Sequence, residues 1–253
     1  VATYESFAAV LQRSAFRPGT VVADEIHLIA DDDRGPGVEG LFARLLSKGR
    51  MGALCALSAV VQNGTELAGW LGIPLLEGTT ADRPVPLTLE HAVVEDLDEA
   101  LCQILEPCTD GERALVFCSS RGGAERTARS LKDVIAPCIP QKEEAALKEL
   151  AERILEEDPD AEDVVDLLPA AVAYHHAGLP KPIRRHIEHA FREKLIRVIA
   201  STPTLAAGVN LPAGIVVVRD VFRGDTVRGT FRQVLMPSGE VLNMLGRAAR
   251  PYH

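Results

Sequence analysis

Apolar positions along the chain follow two alternating rhythms. Short continuous runs, rich in β-branched residues, predict strands buried on both faces; stretches with apolar residues three and four apart predict amphipathic helices. In the first half, Phe7, Val10 and Leu11 mark one helix face, and TVVADEIHLI (20–29) predicts a strand. Val38, Leu41, Phe42 and Leu45 form a helical stripe that Gly49 stops; ALCALSAVV predicts a second strand and TELAGWLG a short helix. The turn-rich segment EGTTADRPVPLTLE (77–90) reads as the exit from this half.

The second half opens with a helix through Leu97, Leu101, Ile104 and Leu105. Strand RALVFCSS follows, then helix GGAERTARSLKDVIA, with Ala124, Ala128, Leu131 and Ile135 on one face. In KEEAALKELAERILEEDP, Leu147, Leu150, Ala151, Ile154 and Leu155 repeat at helical spacing until Pro159 bars continuation. Strand AAVAYHHAGL, helix PIRRHIEHAFREKL, strands IRVIAST and GIVVVRDV, and a last helix from Ser238 complete it. Such alternation predicts an α/β protein with mostly parallel sheets flanked by helices, divided into residues 1–86 and 87–253.

Composition narrows the partners. Of 253 residues, 47% are of hydrophobic type, enough for one large core or two ordinary ones. Only 4% are aromatic, so Ala, Val, Leu and Ile must fill the interior. A net charge of −9 confines any nucleic-acid site to a local patch. The five cysteines form no C-x-x-C pair, which argues for a reducing compartment and against structural zinc. Cys55 and Cys118, inside apolar runs, are expected to be buried as small hydrophobes. No apolar run reaches membrane-span length, so no membrane partner is expected, and the location is cytoplasmic, or nuclear in a eukaryote. A chain that starts at Val1 and ends in GRAARPYH is expected to be part of a longer protein.

Chemistry concentrates where strands end, the edge at which parallel sheets gather ligands. Asp24 and Glu25 close the first strand. Adjacent carboxylates there suit Mg²⁺, and a second acid can polarise an attacking water; a plain acidic turn is the alternative. Ser58 ends the next strand, LVFCSSRGGAE ends another in polar residues, and ASTPTLAAGVNLPAG ends a third in Thr202 and Thr204 ahead of Gly208 and Asn210. NMLGRAARP sets Arg247 and Arg250 three apart, on one helix face, a spacing that can reach a terminal phosphate.

DEIH, LSAV, ALVFCSSR, AYHHAGL, TPTLAAGVNLPA and LGRAAR match, in order, motifs II to VI of the superfamily two DExH-box helicases. With DDRGP, NGTELAGWL and RPVPL, the chain resembles the superkiller-like branch, nearest the archaeal DNA repair helicase and the polymerase theta helicase domain, from about motif Ib to motif VI. The resemblance implies two RecA-like lobes, the first incomplete, working as a monomeric motor that uses ATP and Mg²⁺ to step 3′→5′ along single-stranded or forked nucleic acid, DNA before RNA. It implies that Asp24 and Glu25 hold the metal and orient water, and that His27 and Ser58 couple the nucleotide to the strand. Arg247 and Arg250 would reach the γ-phosphate, with Gly208, Asn210 and Asn243 beside the nucleotide. Thr3, Glu5, Ser119, Ser120, Arg121, Thr202 and Thr204 would meet the nucleic-acid backbone.

Three residues depart from the family pattern: Val60 for threonine, Asn243 for glutamine and Ala249 for glycine. They lead us to expect weakened unwinding with ATPase partly retained. No G-x-x-x-x-G-K-[ST] occurs in the sequence; by the resemblance it would lie upstream of ATYE, with winged-helix and ratchet parts downstream of His253. An RNA helicase of the same superfamily and a degenerate nucleic-acid-binding scaffold stay open as alternatives. His186 and His189 read as a solvated helix face, His175 and His176 as positional, and Trp70 as core.

Overall fold

The computed structural model describes residues 1–31, 33–47, 49, 51–58, 63–79, 82, 85–209, 211–227 and 230–248. The chain divides into two compact units, Val1–Thr79 and Thr80–His253.

The first unit contains α1 (Tyr4–Arg13), β1 (Thr20–Ala23), α2 (Gly35–Ser47), β2 (Ala53–Ala56) and α3 (Gly64–Leu71). β1 and β2 pair in parallel, with Thr20 opposite Ala53 and Ala23 opposite Ala56. Gly52 permits the approach: a Cβ there would lie 2.5 Å from the Gly19 carbonyl oxygen. Leu11, Ala23, Ile26, Val38, Leu41, Phe42, Leu45 and Leu71 form the core, and Tyr4 packs edge-on to Phe42. The predicted strand 20–29 is shorter than expected. It stops at Ala23, and Ile26–Ala30 is a 3-10 helix instead. The acidic pair ends the extended run, and only Ile26 of the 3-10 segment is fully buried.

Two expectations for this unit are corrected. Cys55 is exposed, because β2 belongs to a two-stranded sheet that leaves that position uncovered. Trp70 is 40% exposed: Ala68 and Leu71 supply the buried face of α3, and the indole lies off it. The last three residues of the run ALCALSAVV, 59–61, lie outside the described residues.

In the second unit α4 (Leu97–Ile104) leads to β3 (Ala114–Phe117), α5 (Arg121–Ile135), α6 (Gln141–Glu157), α7 (Glu162–Val165), β4 (Val172–His175), α8 (Lys181–Arg192), β5 (Val198–Ser201), α9 (Thr204–Gly208) and β6 (Ile215–Val218). The four strands form one parallel sheet in the order β4-β5-β3-β6. β3, β4 and β5 are buried along their whole length, as parallel strands covered on both faces require. α5 turns Ala124, Ala128, Leu131 and Ile135 to the core, the predicted stripe. α6 ends at Glu157, two residues before Pro159.

At the amino ends of the strands, two buried arginines act as staples. Arg197 donates to the carbonyls of Cys108, Thr109 and Cys138 and pairs with Glu143 at 2.9 Å. Arg113 donates to the Phe191 carbonyl and lies over its ring. Beyond β6, an antiparallel hairpin of β7 (Phe222–Val227) and β8 (Thr230–Leu235) precedes α10 (Ser238–Leu245). Among the described residues no helix is long and apolar enough to cross a membrane.

Candidate functional site

In the first unit, candidate residues gather at the tip of β1. Asp24 is exposed, and its Oδ1 accepts the Glu25 amide at 3.0 Å. Glu25 sits in the left-handed region (φ 53, ψ 46), a conformation that costs an ordinary L-residue about 1 kcal/mol and turns the chain sharply into the 3-10 helix. That turn brings Glu25 back toward His27. Nδ1 of His27 is 2.9 Å from Ser58 Oγ and 3.3 Å from Glu25 Oε2. Glu25 and Ser58 thus approach the same ring nitrogen of His27, which links the ends of β1 and β2.

Tyr4 was absent from the candidates read in the sequence, although it stands inside ATYE. Its hydroxyl donates to the Asp24 carbonyl at 2.6 Å. Burial, then the charges of Asp24 and Glu25, push the phenol up to about 12, so it remains a donor at neutral pH. Thr3 caps α1 by accepting the Ser6 amide, and Glu5 pairs with Arg34 at 2.9 Å. The Glu5 carboxyl is held below its usual range by its own backbone N–H first, then by Arg34 and Thr3. Both residues thus have local roles in the structure, which leaves any nucleic-acid role a further one.

As to metal, the chemistry of the donors fits. Asp24 is an exposed hard-oxygen ligand at a strand end, as a cation that keeps most of its waters requires. Among the described residues no group of three or more His, Cys, Asp or Glu is placed to hold an ion by protein ligands alone.

In the second unit all four strands end in polar residues along one edge. Ser119, Ser120 and Arg121 follow β3, His176 follows β4, Thr202 follows β5, and Arg219 and Asp220 follow β6. The Ser120 hydroxyl caps α5 by accepting the Gly123 amide at 3.1 Å. Thr202 and Thr204 join hydroxyls at 2.9 Å. Both the amide and the hydroxyl of Ser119 donate to Asp220 Oδ2, at 3.1 and 3.3 Å. Arg219 and Asp220 were not among the sequence candidates. The strand-end rule that selected Ser119 and Thr202 applies equally to GIVVVRDV and would have found them.

The two histidines of AYHHAGL differ. Gly178 donates its amide to His176 Nδ1, so that nitrogen carries the lone pair and Nε2–H donates to Glu125 Oε1 at 3.1 Å. The His176 ring stacks on Tyr174, whose phenol burial and Glu125 push up to about 12. His175 is buried, with Nε2 3.0 Å from Glu188 Oε1 and Nδ1 without a hydrogen-bond partner. Burial lowers its pKa against the pull of Glu188.

Arg247 departs from the expected placement. α10 ends at Leu245, so the arginine lies past the helix rather than on its face. It is buried, and its guanidinium donates to the Val209 carbonyl at 2.6 Å and to that of Ala206, binding the end of α9. Asn243 is half-buried within α10, and Gly208 ends α9. Val60, Asn210, Ala249 and Arg250 lie outside the described residues.

The chain is similar to known proteins over most of its length. Residues 148–251 match the helicase conserved C-terminal domain. The chain is 37% identical over 245 residues to the ATP-dependent DNA helicase Hel308 of Thermoplasma volcanium, covering 92% of this chain and 34% of that protein. It is 35% identical to that of Caldivirga maquilingensis (99% and 35%) and 36% identical to that of Pyrobaculum calidifontis (99% and 37%). The chain thus spans about a third of the length of these relatives.

Proposed function

We propose that the chain belongs to the superfamily two DExH-box helicases, in line with the helicase C-terminal domain match over residues 148–251 and the Hel308 relatives, and that it is the central part of an ATP-dependent 3′→5′ DNA helicase acting in repair. In this reading Val1–Thr79 belongs to the first RecA-like lobe and Thr80–His253 is the second. The convergence of Glu25 and Ser58 on His27 Nδ1 supports it most. A carboxylate poised for water activation is tied directly to the end of the neighbouring strand, as coupling between nucleotide and nucleic acid demands.

The roles follow from the groups. Asp24 would hold Mg²⁺ through water, and the ion would neutralise charge on the phosphates of ATP. Glu25 orients the attacking water and accepts its proton. Loss of its charge weakens its pull on the His27 ring, whose Nδ1 stays beside Ser58 Oγ. Tyr4 keeps the β1 tip in place by its bond to the Asp24 carbonyl. Arg247 and Arg250 stabilise charge developing on the γ-phosphate, while Gly208, Asn210 and Asn243 line the nucleotide. For Arg247 this means exchanging the carbonyls of Ala206 and Val209 for phosphate oxygens, so nucleotide arrival loosens α9, which begins at Thr204. Thr3, Glu5, Ser119, Ser120, Arg121, Thr202 and Thr204 contact single-stranded or forked DNA through its backbone, with no sequence reading.

The test is strand displacement by the protein as its gene encodes it, on 3′-tailed and 5′-tailed DNA and RNA, with and without ATP and Mg²⁺. The expected outcome is ATP-dependent displacement of 3′-tailed DNA, lost in Glu25→Gln. Displacement of RNA alone would favour an RNA helicase, and nucleic-acid binding without turnover would favour a scaffold.

A further inference from the structure

Ser119 and Asp220 are 101 residues apart, yet the sheet sets them side by side, because β3 and β6 are neighbours with Phe117 opposite Val218. The amide and hydroxyl of Ser119 converge on a single carboxylate oxygen, Asp220 Oδ2. Two donors from one residue closing on one anionic oxygen is the arrangement a phosphate oxygen would receive from the same residue. Ser120 offers no substitute, since its hydroxyl is occupied capping α5. Neither partner is deeply buried, so the contact can open to solvent. Arg219 Nη1, 3.9 Å from the same oxygen, gives the carboxylate somewhere to move.

We propose that Asp220 is an internal competitor for the nucleic-acid backbone: its carboxylate occupies the phosphate position at Ser119 and must swing toward Arg219 before a strand can be held there. The inference rests on the reading of Ser119 as a backbone contact and adds a residue that tunes the grip. A strand-holding edge closed by its own anion binds weakly and lets go readily, which a motor that releases the strand in every cycle requires. Asp220 keeps its negative charge beside any phosphate that displaces it, so it penalises binding even when moved.

The experiment uses the 253-residue chain and fluorescence anisotropy with oligo(dT) at fixed ionic strength. Asp220→Asn preserves the acceptor for Ser119 and removes the charge; affinity is expected to rise roughly fivefold. A Ser119→Ala background loses the hydroxyl donor but keeps the amide, so the same change is expected to gain less there than in the wild-type chain, about twofold to threefold. Unchanged or weaker binding by Asp220→Asn, or an equal gain in both backgrounds, overturns the proposal. A second measurement follows the Ser119 amide by ¹H–¹⁵N NMR during titration with inorganic phosphate. It is expected to shift in Asp220→Asn at concentrations that leave the wild-type signal in place; equal responses overturn the proposal. Should Arg121→Ala and Thr202→Ala leave oligo(dT) affinity untouched, the reading of this edge as a nucleic-acid face fails, while the Ser119 amide still decides the role of Asp220.

Discussion

His175 shows what a single side chain imposes when it is taken out of water. Its ring meets Glu188 through Nε2, leaves Nδ1 unpartnered, and also feels the charge of Arg184. Burial is the largest influence and depresses the pKa below the ordinary 6.5. The unfolded chain therefore binds a proton that the native chain refuses, so stability is full above about pH 6.5 and declines as pH falls below it. Urea unfolding from about pH 7 to about pH 5 is expected to show this decline, less steeply in His175→Gln. A steeper decline in the variant would rule out His175 as its source. Few of these partnerships could be read along the chain. HH in AYHHAGL says that two imidazoles adjoin a strand end; that one faces Glu188 and the other Glu125 follows from the alternation of the strand and the helices beside it.

At the scale of elements, the junctions between strands and helices carry the most consequence. The turn after β4 holds Gly178 where a Cβ would stand 3.0 Å from His176 Nδ1 and 3.2 Å from Arg121 Nη1. Gly178→Ala is therefore expected to shift the guanidinium at the start of α5 by a few tenths of an ångström. Oligo(dT) affinity should fall by about twofold to threefold, while the melting temperature drops by only a few degrees. A large thermal loss with unchanged affinity would assign the glycine to folding alone. Helices and the second unit's strands were legible because their rhythms are local: α5 buries the residues its periodicity marks, and α6 buries all of its own except the half-buried Leu155. The hairpin of β7 and β8 escaped that reading. FRGDTV and TFRQVL lack the dense apolar content of the other strands, although two six-residue runs separated by two residues with a glycine are a hairpin signal.

At the scale of the whole molecule, the decisive feature is what the 253 residues contain for nucleotide chemistry. They include Asp24, Glu25, Arg247 and Arg250 but no G-K-[ST] sequence, hence no P-loop lysine for the β- and γ-phosphates. A polypeptide of these residues is expected to show no nucleic-acid-stimulated ATP hydrolysis above background in a coupled assay and no ATP binding tighter than about millimolar by calorimetry. Robust turnover would mean that another group cradles the phosphates.

The linear pattern was enough to determine the α/β class, the order of the longer helices in the second unit, the polar character of its strand ends and the kinship carried by DEIH and TPTLAAGVNLPA, since each depends on neighbours within a few residues; the short α7 and α9 escaped it. Partnership across the sheet was decided only in three dimensions. Asp220 meets Ser119, and Arg247 meets Ala206, because the order β4-β5-β3-β6 and the end of α10 bring distant backbone together. Periodicity specifies which face of a strand is buried but leaves open which strand lies beside it. That choice rests on packing the whole core at once, and with it goes the identity of the group each polar strand end finally touches.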